Sequence, residues 1–362
     1  LDTVRRWSER YWRHRILGAL RPVLLTAEQL EQWRQASERV GQGLQRAVES
    51  LTQDADLRRH IMGSEEAVQA DPPLLSRLDG AQTPEGIRFF EMNVGVVGIS
   101  DVDMATAIYA SLGLGQGLAC TPSPVFPNLV ALLERLHRQR CPEDHRLCLA
   151  IPFAPEYEAE FSASLLSFVG AFRALGWDAR FCPLHSLRFE QGRLLMEDGQ
   201  VVHLVARAYF PGAPGSQVVE EAVAHNAALL VNRDAPHGNK GLFELVDDPA
   251  IPWTRIVSSR QTQDPDGARV ELAEYALQQQ NHLVLKPSDG FGGRDVLLGW
   301  KTSSEDWARA IGQAIEEYPA GRRSIVQWGS SMPSAQFVDR ELNNQEMYWD
   351  VNSFLFQGKF GG

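Results

Sequence analysis

The sequence predicts an α/β fold of the mixed, α+β kind, and three patterns support this prediction. Apolar residues recur at helical spacing from Leu30 to Leu51, which is typical of an amphipathic helix. An apolar run at 147–151 is followed by a helical stretch and a second apolar run at 179–183, which indicates a β-α-β unit. Further along, two apolar runs flank a loop with three glycines at 288–293, as in a pair of strands joined by a flap.

The composition narrows the class of protein. Of 362 residues, 44% are hydrophobic and 22% charged, as in globular proteins large enough for two or three structural units. The net charge of −11 argues against a nucleic-acid partner, because such partners are bound by clustered Lys and Arg. No apolar run approaches the ~20 residues of a membrane-spanning helix. Four cysteines without a C-x-x-C pair favour a reduced, cytoplasmic protein.

The first segment, residues 1–70, is predicted to be helical. Thr26 and Gln29 have the spacing of a capping box, in which two side chains satisfy the free N–H groups at the start of a helix. The apolar stripe that follows is expected to pack in the core rather than to bind a ligand.

Residues 71–142 are predicted to contain a β-hairpin that suits a cation. Arg77 and Asp79 alternate along one strand, and Glu91 and Asn93 along the next, so the members of each pair share a face. Two carboxylates and an amide oxygen are ligands for a hard cation such as Mg²⁺. A surface hairpin with solvated acids is the alternative that these residues alone leave open.

Helices are expected after this hairpin, and residues 143–235 are predicted to form an open α/β layer. The sequence alternates apolar runs with helical stretches here, as in β-α-β units. Helices are expected at 100–112, 128–138, 158–175 and 218–225, strands at 147–151, 179–183, 201–210 and 228–231, and a hairpin-like excursion at 187–198.

Residues 236–362 contain a lysine and a glycine loop that suit a polyphosphate. Lys286 ends an apolar strand and precedes a loop that includes Ser288, Gly290, Gly292 and Gly293. Glycines let backbone N–H groups approach phosphate oxygens, and the lysine supplies counter-charge. The spacing matches neither the Walker loop nor the Rossmann turn. A glycine-rich hairpin without a ligand is the open alternative.

Two further residues of this segment are candidates for nucleotide binding. Lys240 is expected at the start of a helix, where the dipole also favours anions, although a surface lysine is the simpler interpretation. Gln327 ends an apolar strand and could lie beside a purine. The alternative is that it is only the polar residue at the end of a core strand. The remaining elements expected here are strands at 282–287, 295–299, 324–327 and 347–356 and a helix at 306–317.

The order of these motifs resembles that of the ATP-grasp enzymes, in particular a circularly permuted branch that includes the synthetase domain of glutathionylspermidine synthase. In that branch the metal-ligand hairpin precedes the two nucleotide-binding lysines. The resemblance covers most of residues 72–362. It implies that 71–142 hold the hairpin and helices of a permuted ATP-grasp core, 143–235 a Rossmann-like pre-ATP-grasp layer, and 236–362 the ATP-binding subdomains.

The resemblance also implies a role for each matched residue. Metal, phosphate, base and acyl contacts would be divided among the hairpin, the lysines and the loop. Asp79, Glu91 and Asn93 would hold Mg²⁺; Lys240, Lys286 and the loop with Ser288, Gly290, Gly292 and Gly293 would hold the ATP phosphates; Gln327 and its neighbours would meet the adenine; Arg77 would contact the acyl phosphate or the tetrahedral intermediate.

The implied activity is that of an ATP- and Mg²⁺-dependent carboxylate–amine ligase that forms an amide or peptide bond through an acyl phosphate. Its partners would be a small carboxylic acid and an amine, and presentation of one of them on an acyl or peptidyl carrier protein stays open. The apolar run Val94–Ile99 departs from the family pattern and gives no support to glutathione or spermidine as substrates. A phosphotransferase on the same fold and a non-catalytic nucleotide-binding protein are the alternatives.

Overall fold

The computed structural model describes residues 25–95, 99, 125–141, 147–154, 168–209, 212–231, 233, 235–290, 293–338 and 344–362. These residues form three four-stranded sheets and several helices and small hairpins. The helix expected at 100–112 and the first ten residues of the helix expected at 158–175 lie outside them. No helix of the described ranges is long and apolar enough to cross a bilayer.

Two helices open the described chain. Helix α1 (Ala27–Gln53) begins at the predicted capping box, where Thr26 Oγ1 accepts from the Gln29 N–H at 3.1 Å and Gln29 Oε1 accepts from the Thr26 N–H at 2.8 Å. Helix α2 (Ala55–Met62) follows, capped by Asp54. The apolar stripe of α1 is buried, as predicted, through Trp33, Val40, Leu44, Val48 and Leu51.

An antiparallel sheet carries the predicted hairpin. Strands β1 (Leu75–Thr83) and β2 (Gly86–Val94) form the hairpin, and β17 (Val351–Phe356) and β18 (Lys359–Phe360) complete the sheet in the order β18-β17-β1-β2. The central pair of this sheet thus joins residues 75–80 to residues 351–356, which are far apart in sequence.

The prediction of a single strand at 347–356 is wrong, because the structure has two strands there, which belong to two different sheets. Strand β16 (Asn344–Tyr348) pairs with β15 (Ser334–Val338), whereas β17 pairs with β1. Trp349 and Asp350 carry the chain from one sheet to the other. An alternating pattern indicates extended backbone but does not identify the partner strand, so it could not reveal this break.

The two faces of the hairpin sheet are covered by different layers. Phe89 and Met92 pack against α1, where Trp33 meets the Phe89 ring edge-on at 5.4 Å between centroids. On the opposite face, Leu75 and Phe354 pack against the parallel sheet described below. Arg77, Asp79, Glu91 and Asn93 also lie on this second face, nearer the turn of the hairpin than Leu75.

A β-bulge interrupts β2 beside these polar side chains. Gly80 pairs with Phe89 while the residue before Gly80 pairs with Glu91, so Phe90 has no partner in the ladder. Gly80 is needed here, because a Cβ at this position would lie 2.5 Å from the Arg88 carbonyl oxygen. The bulge leaves the Phe90 carbonyl group outside the ladder.

A parallel sheet forms the second layer and confirms the predicted β-α-β arrangement. Strand β3 (Cys148–Phe153) pairs with β4 (Asp178–Pro183) and with β7 (Leu204–Val205), which pairs with β8 (Leu229–Leu230). Helices α3 (Val125–Arg140) and α4 (Ser216–Ala224) and a helical stretch at 168–174 accompany this sheet, and β5 (Arg188–Glu190) and β6 (Arg193–Leu195) form the predicted excursion. The strand predicted at 201–210 is shorter than expected, because Val201 bridges to Leu195 instead of joining the parallel sheet.

The third sheet is antiparallel and lies in the last third of the chain. It contains β9 (Thr254–Ile256), β12 (Leu283–Pro287), β13 (Leu297–Leu298) and β14 (Ser324–Trp328) in the order β13-β12-β14-β9. Helices α5 (Leu272–Gln278) and α6 (Ser304–Glu317) share its apolar core, and β10 (Gln261–Gln263) and β11 (Arg269–Glu271) form a small hairpin.

Two elements of this segment differ from their predictions. Lys240 begins a helix, as predicted, but this is a short 3₁₀ helix of six residues, Lys240–Leu245; Pro249 lies close beyond it and disfavours a longer helix. The strand expected at 295–299 is confined to β13, because Asp295 has a φ of 58°, which is outside the β region.

Trp33→Ala should lower the free energy of unfolding by about 3–5 kcal/mol, because it leaves a cavity against Phe89 behind the hairpin. Urea unfolding followed by circular dichroism measures this change. Leu30→Ala on the same helix is the control, since Leu30 is 38% exposed and its loss should cost about 0.5 kcal/mol or less. Equal effects of the two substitutions would contradict the packing described here.

Candidate functional site

The four polar side chains of the hairpin form one hydrogen-bonded cluster. The register places Arg77 opposite Asn93 and Asp79 opposite Glu91. Arg77 donates to both carboxylate oxygens of Asp79, from Nε at 2.6 Å and from Nη2 at 2.7 Å. Asn93 Nδ2 donates to Asp79 Oδ2 at 2.9 Å and lies 3.3 Å from Glu91 Oε1. One amide nitrogen therefore marks the point on which both carboxylates converge.

The convergence of two carboxylates on one point concentrates negative charge. Burial raises the pKa of Asp79, and the negative charges of Glu91 and Asp350 raise it further, although the hydrogen bonds from Arg77 oppose them. A divalent cation would relieve this repulsion.

The donor set fits Mg²⁺. Asp79 and Glu91 supply carboxylate oxygens, and Asn93 can offer its amide oxygen by turning its side-chain amide. Among the described residues no three His, Cys, Asp or Glu side chains form a metal-binding group, and Asn93 would be the third protein ligand. This low count suits Mg²⁺, which takes its other ligands from phosphate and water.

Lys240 joins this cluster from the last segment of the chain, residues 236–362. Its Nζ lies 3.4 Å from Glu91 Oε2 and donates to the carbonyl oxygen of Gly290. Its backbone N–H donates to the Ser288 carbonyl oxygen at 2.7 Å. The side chain is 8% exposed. Lys240 therefore ties the predicted flap, residues 288–293, to a predicted metal ligand.

Lys286 is buried between the hairpin and the third sheet. Its Nζ donates to the bulged Phe90 carbonyl oxygen at 3.0 Å and to Gln327 Oε1 at 2.9 Å. Burial lowers the pKa of Lys286 from 10.5 to about 8; the Lys240 charge also lowers it, while Glu91 raises it. A cation held in this way, with little counter-charge of its own, is a strong site for an incoming anion.

A cleft of about 900 Å³ brings these groups together. The hairpin contributes Phe90 and Glu91 to its walls, and the third sheet contributes Val284, Lys286 and Gln327. Further lining residues are Lys240, Gly290, Gly293, His282, Arg294, Trp300, Trp328, Met332 and Tyr348. A cleft of this size with apolar walls and a few charged groups is typical of a small-molecule site.

The predicted site residues do not all lie on the wall of this cleft. Asp79, Asn93 and Arg77 lie behind Glu91, in the hairpin cluster. The side chain of Ser288 is buried, and its carbonyl group bonds to Lys240. Gly292 is outside the residues that the structure describes.

Gln327 lines the cleft, but its side chain has two protein partners. Its Oε1 accepts from Lys286, and its Nε2 donates to Thr254 Oγ1 at 3.0 Å. The family resemblance implied that this residue would meet an adenine. In the structure its amide connects Lys286 to Thr254 on the edge strand β9.

Several residues in and beside the cleft were not predicted from the sequence. Asn352 lies opposite Asp79 on β17, and the alternation of Asp350 and Asn352 was a signal that could have identified this face. Trp300 and Tyr348 are 46% and 69% exposed, and large exposed aromatic side chains on a cleft rim indicate binding. Thr254 carried no signal in sequence, because one threonine in a short strand is unremarkable.

The fold is similar to that of a solved protein. A glutathione synthetase-like effector from Globodera pallida, solved in its apo form, matches 99% of this chain and 90% of its own at a TM-score of 0.59 and 12% identity. A proposed gamma-glutamylcysteine synthetase from Methylobacillus flagellatus matches 94% of this chain and 82% of its own at a TM-score of 0.41 and 12% identity. The first likeness shows a glutathione synthetase-like fold and confirms the mixed α/β class.

The sequence itself has no match of this kind. No protein-family profile matches the chain, and no curated protein matches it in sequence.

Lys286→Met should change the pH dependence of stability. The pKa of Lys286 is about 8 in the folded protein and 10.5 without burial, so between these values the unfolded chain binds more protons and wild-type stability rises with pH. The difference in unfolding free energy, variant minus wild type, should therefore fall by up to roughly 3 kcal/mol from pH 8 to pH 10.5. Urea titrations at several pH values measure this difference.

Subtracting the wild-type value removes the contribution of other groups whose titration changes the unfolding free energy in the opposite direction. Burial raises the pKa of Cys148 to about 12 and that of Cys182 to about 11, which lowers stability at high pH in both proteins alike. A difference that stays constant across the window would contradict a depressed pKa of Lys286.

Proposed function

We propose that this protein is an ATP- and Mg²⁺-dependent carboxylate–amine ligase of the permuted ATP-grasp type, which forms an amide or peptide bond through an acyl phosphate. One observation carries the proposal: a single cleft joins Lys240, Lys286 and the glycine flap to Glu91 of the carboxylate hairpin. Cations that could neutralise a polyphosphate thus lie beside ligands for its metal ion. The order of these motifs along the sequence resembles that of the ATP-grasp enzymes. The glutathione synthetase-like fold supports the same class.

The residues divide into those for the phosphates and those for the metal ion. Lys240 and Lys286 would neutralise the triphosphate, and the flap from Ser288 to Gly293 would cover it. The hairpin carboxylates and Asn93 would hold Mg²⁺, which neutralises charge on the transferred phosphoryl group. The cleft wall beyond Gln327, from Trp328 to Met332, would face the base.

Arg77 would serve the reacting acyl group. The carboxylate of the acid substrate takes the γ-phosphoryl group of ATP, so that a C–O–P linkage forms and ADP leaves. The amine then attacks the acyl carbon, loses a proton and expels inorganic phosphate. The protein positions the reactants and neutralises charge in both steps. The guanidinium group of Arg77 would stabilise the negatively charged oxygen of the acyl phosphate or of the tetrahedral intermediate.

The cations and carboxylates of the site pair with one another in the structure. Arg77 occupies both oxygens of Asp79, and Lys240 lies against Glu91. On binding of a metal–nucleotide complex these contacts would be exchanged: Asp79 and Glu91 would hold the metal ion, and Arg77 and Lys240 would pair with the phosphate groups. The exchange keeps the buried charges paired throughout.

Two other functions differ from this one in what they consume. A phosphotransferase on the same fold would release a stable phosphorylated product without an amine, and a non-catalytic protein would bind ATP without turnover. The presence of both lysines and of all three metal-ligand side chains favours catalysis. An acid or amine presented on a carrier protein remains within the proposal, because the cleft is open to solvent on its Trp300 and Tyr348 side.

Release of ADP and phosphate should require ATP, Mg²⁺, an acid and an amine together. The measurement is a coupled ADP assay against pools of amino acids, other carboxylic acids and amines, with mass spectrometry of the product. Asp79→Asn should lower kcat by roughly 100-fold or more, through loss of a metal ligand. Glu85→Gln is the matched control, because Glu85 is exposed at the turn of the same hairpin.

The outcomes of this assay separate the three functions. A phosphorylated product that accumulates without amine would replace the ligase with a phosphotransferase. Calorimetry that detects no Mg²⁺-ATP binding by the wild type would overturn the nucleotide assignment as a whole.

Glu91→Gln should have opposite effects on metal-free and metal-bound nucleotide. With EDTA present, the affinity for ATP should rise by roughly five-fold to ten-fold, because the substitution removes the carboxylate that pairs with Lys240. With Mg²⁺ present, the affinity and turnover should fall, because a metal ligand is lost. Isothermal calorimetry under both conditions measures these changes.

Asp350→Asn is the control for simple removal of negative charge. Asp350 interacts electrostatically with Arg77 and Asp79 but is exposed, so its loss should change the metal-free affinity by about two-fold or less. Equal gains from Asp350→Asn and Glu91→Gln would attribute the effect to net charge and remove the role of the Lys240 ion pair.

A further inference from the structure

Three buried polar side chains form a line across the third sheet. Thr254 on β9, Gln327 on β14 and Lys286 on β12 are 1%, 3% and 7% exposed. Thr254 is the register partner of Gln327, and Gln327 is the partner of Val284, two residues before Lys286. Alternate residues of a strand share a face, so the three side chains lie on one face of the sheet.

The hydrogen bonds along this line have a fixed direction. Thr254 Oγ1 lies 2.8 Å from the Pro252 carbonyl oxygen, which only accepts, so the hydroxyl proton is donated there. Toward Gln327, at 3.0 Å, Thr254 can therefore only accept. This requires the NH₂ end of the Gln327 amide to face Thr254 and its oxygen to face Lys286.

The orientation of the amide determines what Lys286 can do. An ammonium group only donates, and it has three N–H bonds. The Gln327 oxygen takes one at 2.9 Å, and the bulged Phe90 carbonyl oxygen takes another at 3.0 Å. With two directions fixed by the protein, the third N–H points to a limited region of the cleft that Lys286 lines.

We infer that Thr254 and Gln327 are positioning residues for Lys286: Thr254 holds the Gln327 amide in the orientation that accepts from the ammonium group and so aims it at the bound nucleotide. The inference rests on the proposed function, because it assigns a purpose to the nucleotide lysine. Thr254 touches no substrate in this arrangement and acts through two intervening groups.

Loss of the Thr254 hydroxyl would remove the constraint. Valine has nearly the same shape as threonine, so the packing of β9 stays the same while the acceptor for Gln327 disappears. The buried NH₂ group is then unsatisfied in its present orientation. An amide that turns to escape this loss places its NH₂ group against the ammonium group, which also only donates.

The test compares Thr254→Val with Thr254→Ser, which keeps the hydroxyl. The probe is Mg²⁺-ADP, titrated by isothermal calorimetry into the full chain. Thr254→Val should weaken binding by about ten-fold, the effect of losing one buried hydrogen bond to a charged group. Thr254→Ser should stay within about two-fold of wild type. A purely structural role would lower the unfolding midpoint without this split in affinity.

A variant at Gln327 tests the same inference independently and serves if Thr254→Val does not fold. Gln327→Met has similar length but no oxygen, so affinity should fall by about ten-fold. In the Gln327→Met background, Thr254→Val should have no further effect on affinity, because the amide through which Thr254 acts is absent.

The results distinguish the inference from the function on which it rests. Wild-type affinity in Thr254→Val, or an equal loss in Thr254→Ser, would overturn the positioning role alone. Absence of Mg²⁺-ADP and Mg²⁺-ATP binding by the wild type would overturn the proposed function and the inference with it.

Discussion

The hydrogen bond from Lys286 to the Phe90 carbonyl oxygen joins the two halves of the candidate site. Each half alone has an incomplete set of groups: the hairpin sheet has carboxylates, and the third sheet has a buried ammonium group. An ammonium group in the interior requires acceptors, and the bulge at Phe90 provides one because it leaves a carbonyl group outside the ladder. The position of the cleft therefore depends on an irregularity in one strand.

The same requirement for charge pairing links the rest of the cluster. Arg77 satisfies Asp79, Asn93 reaches both carboxylates, and Lys240 lies between Glu91 and the flap carbonyl of Gly290. Each cation that would serve a ligand also serves a protein group in its absence. A site of this kind keeps its side chains ordered before the ligand arrives, which lowers the entropy lost on binding.

The sequence predicted those parts of the site whose residues are neighbours in one element. The alternation of Arg77 with Asp79 and of Glu91 with Asn93 predicted a shared face, because strand geometry is local. The glycine loop after Lys286 was likewise visible as composition. The bulge at Phe90 and the line from Thr254 to Lys286 were not predictable, because both arise from pairing between distant segments. The α/β class was predicted correctly, whereas the break at Trp349 was missed for this same reason.

The place of β17 in the hairpin sheet has a consequence for folding. Strand β1 hydrogen-bonds β2 on one side and β17 on the other, so Leu75 meets Phe356 across almost the whole described chain. Such long-range pairs incur a large loop-closure entropy before they form, which slows folding. During synthesis β1 exposes an unpaired edge until residue 356 has emerged, and an open edge of this kind invites intermolecular pairing. The element that carries the predicted metal ligands is thus completed late among the elements that the structure describes.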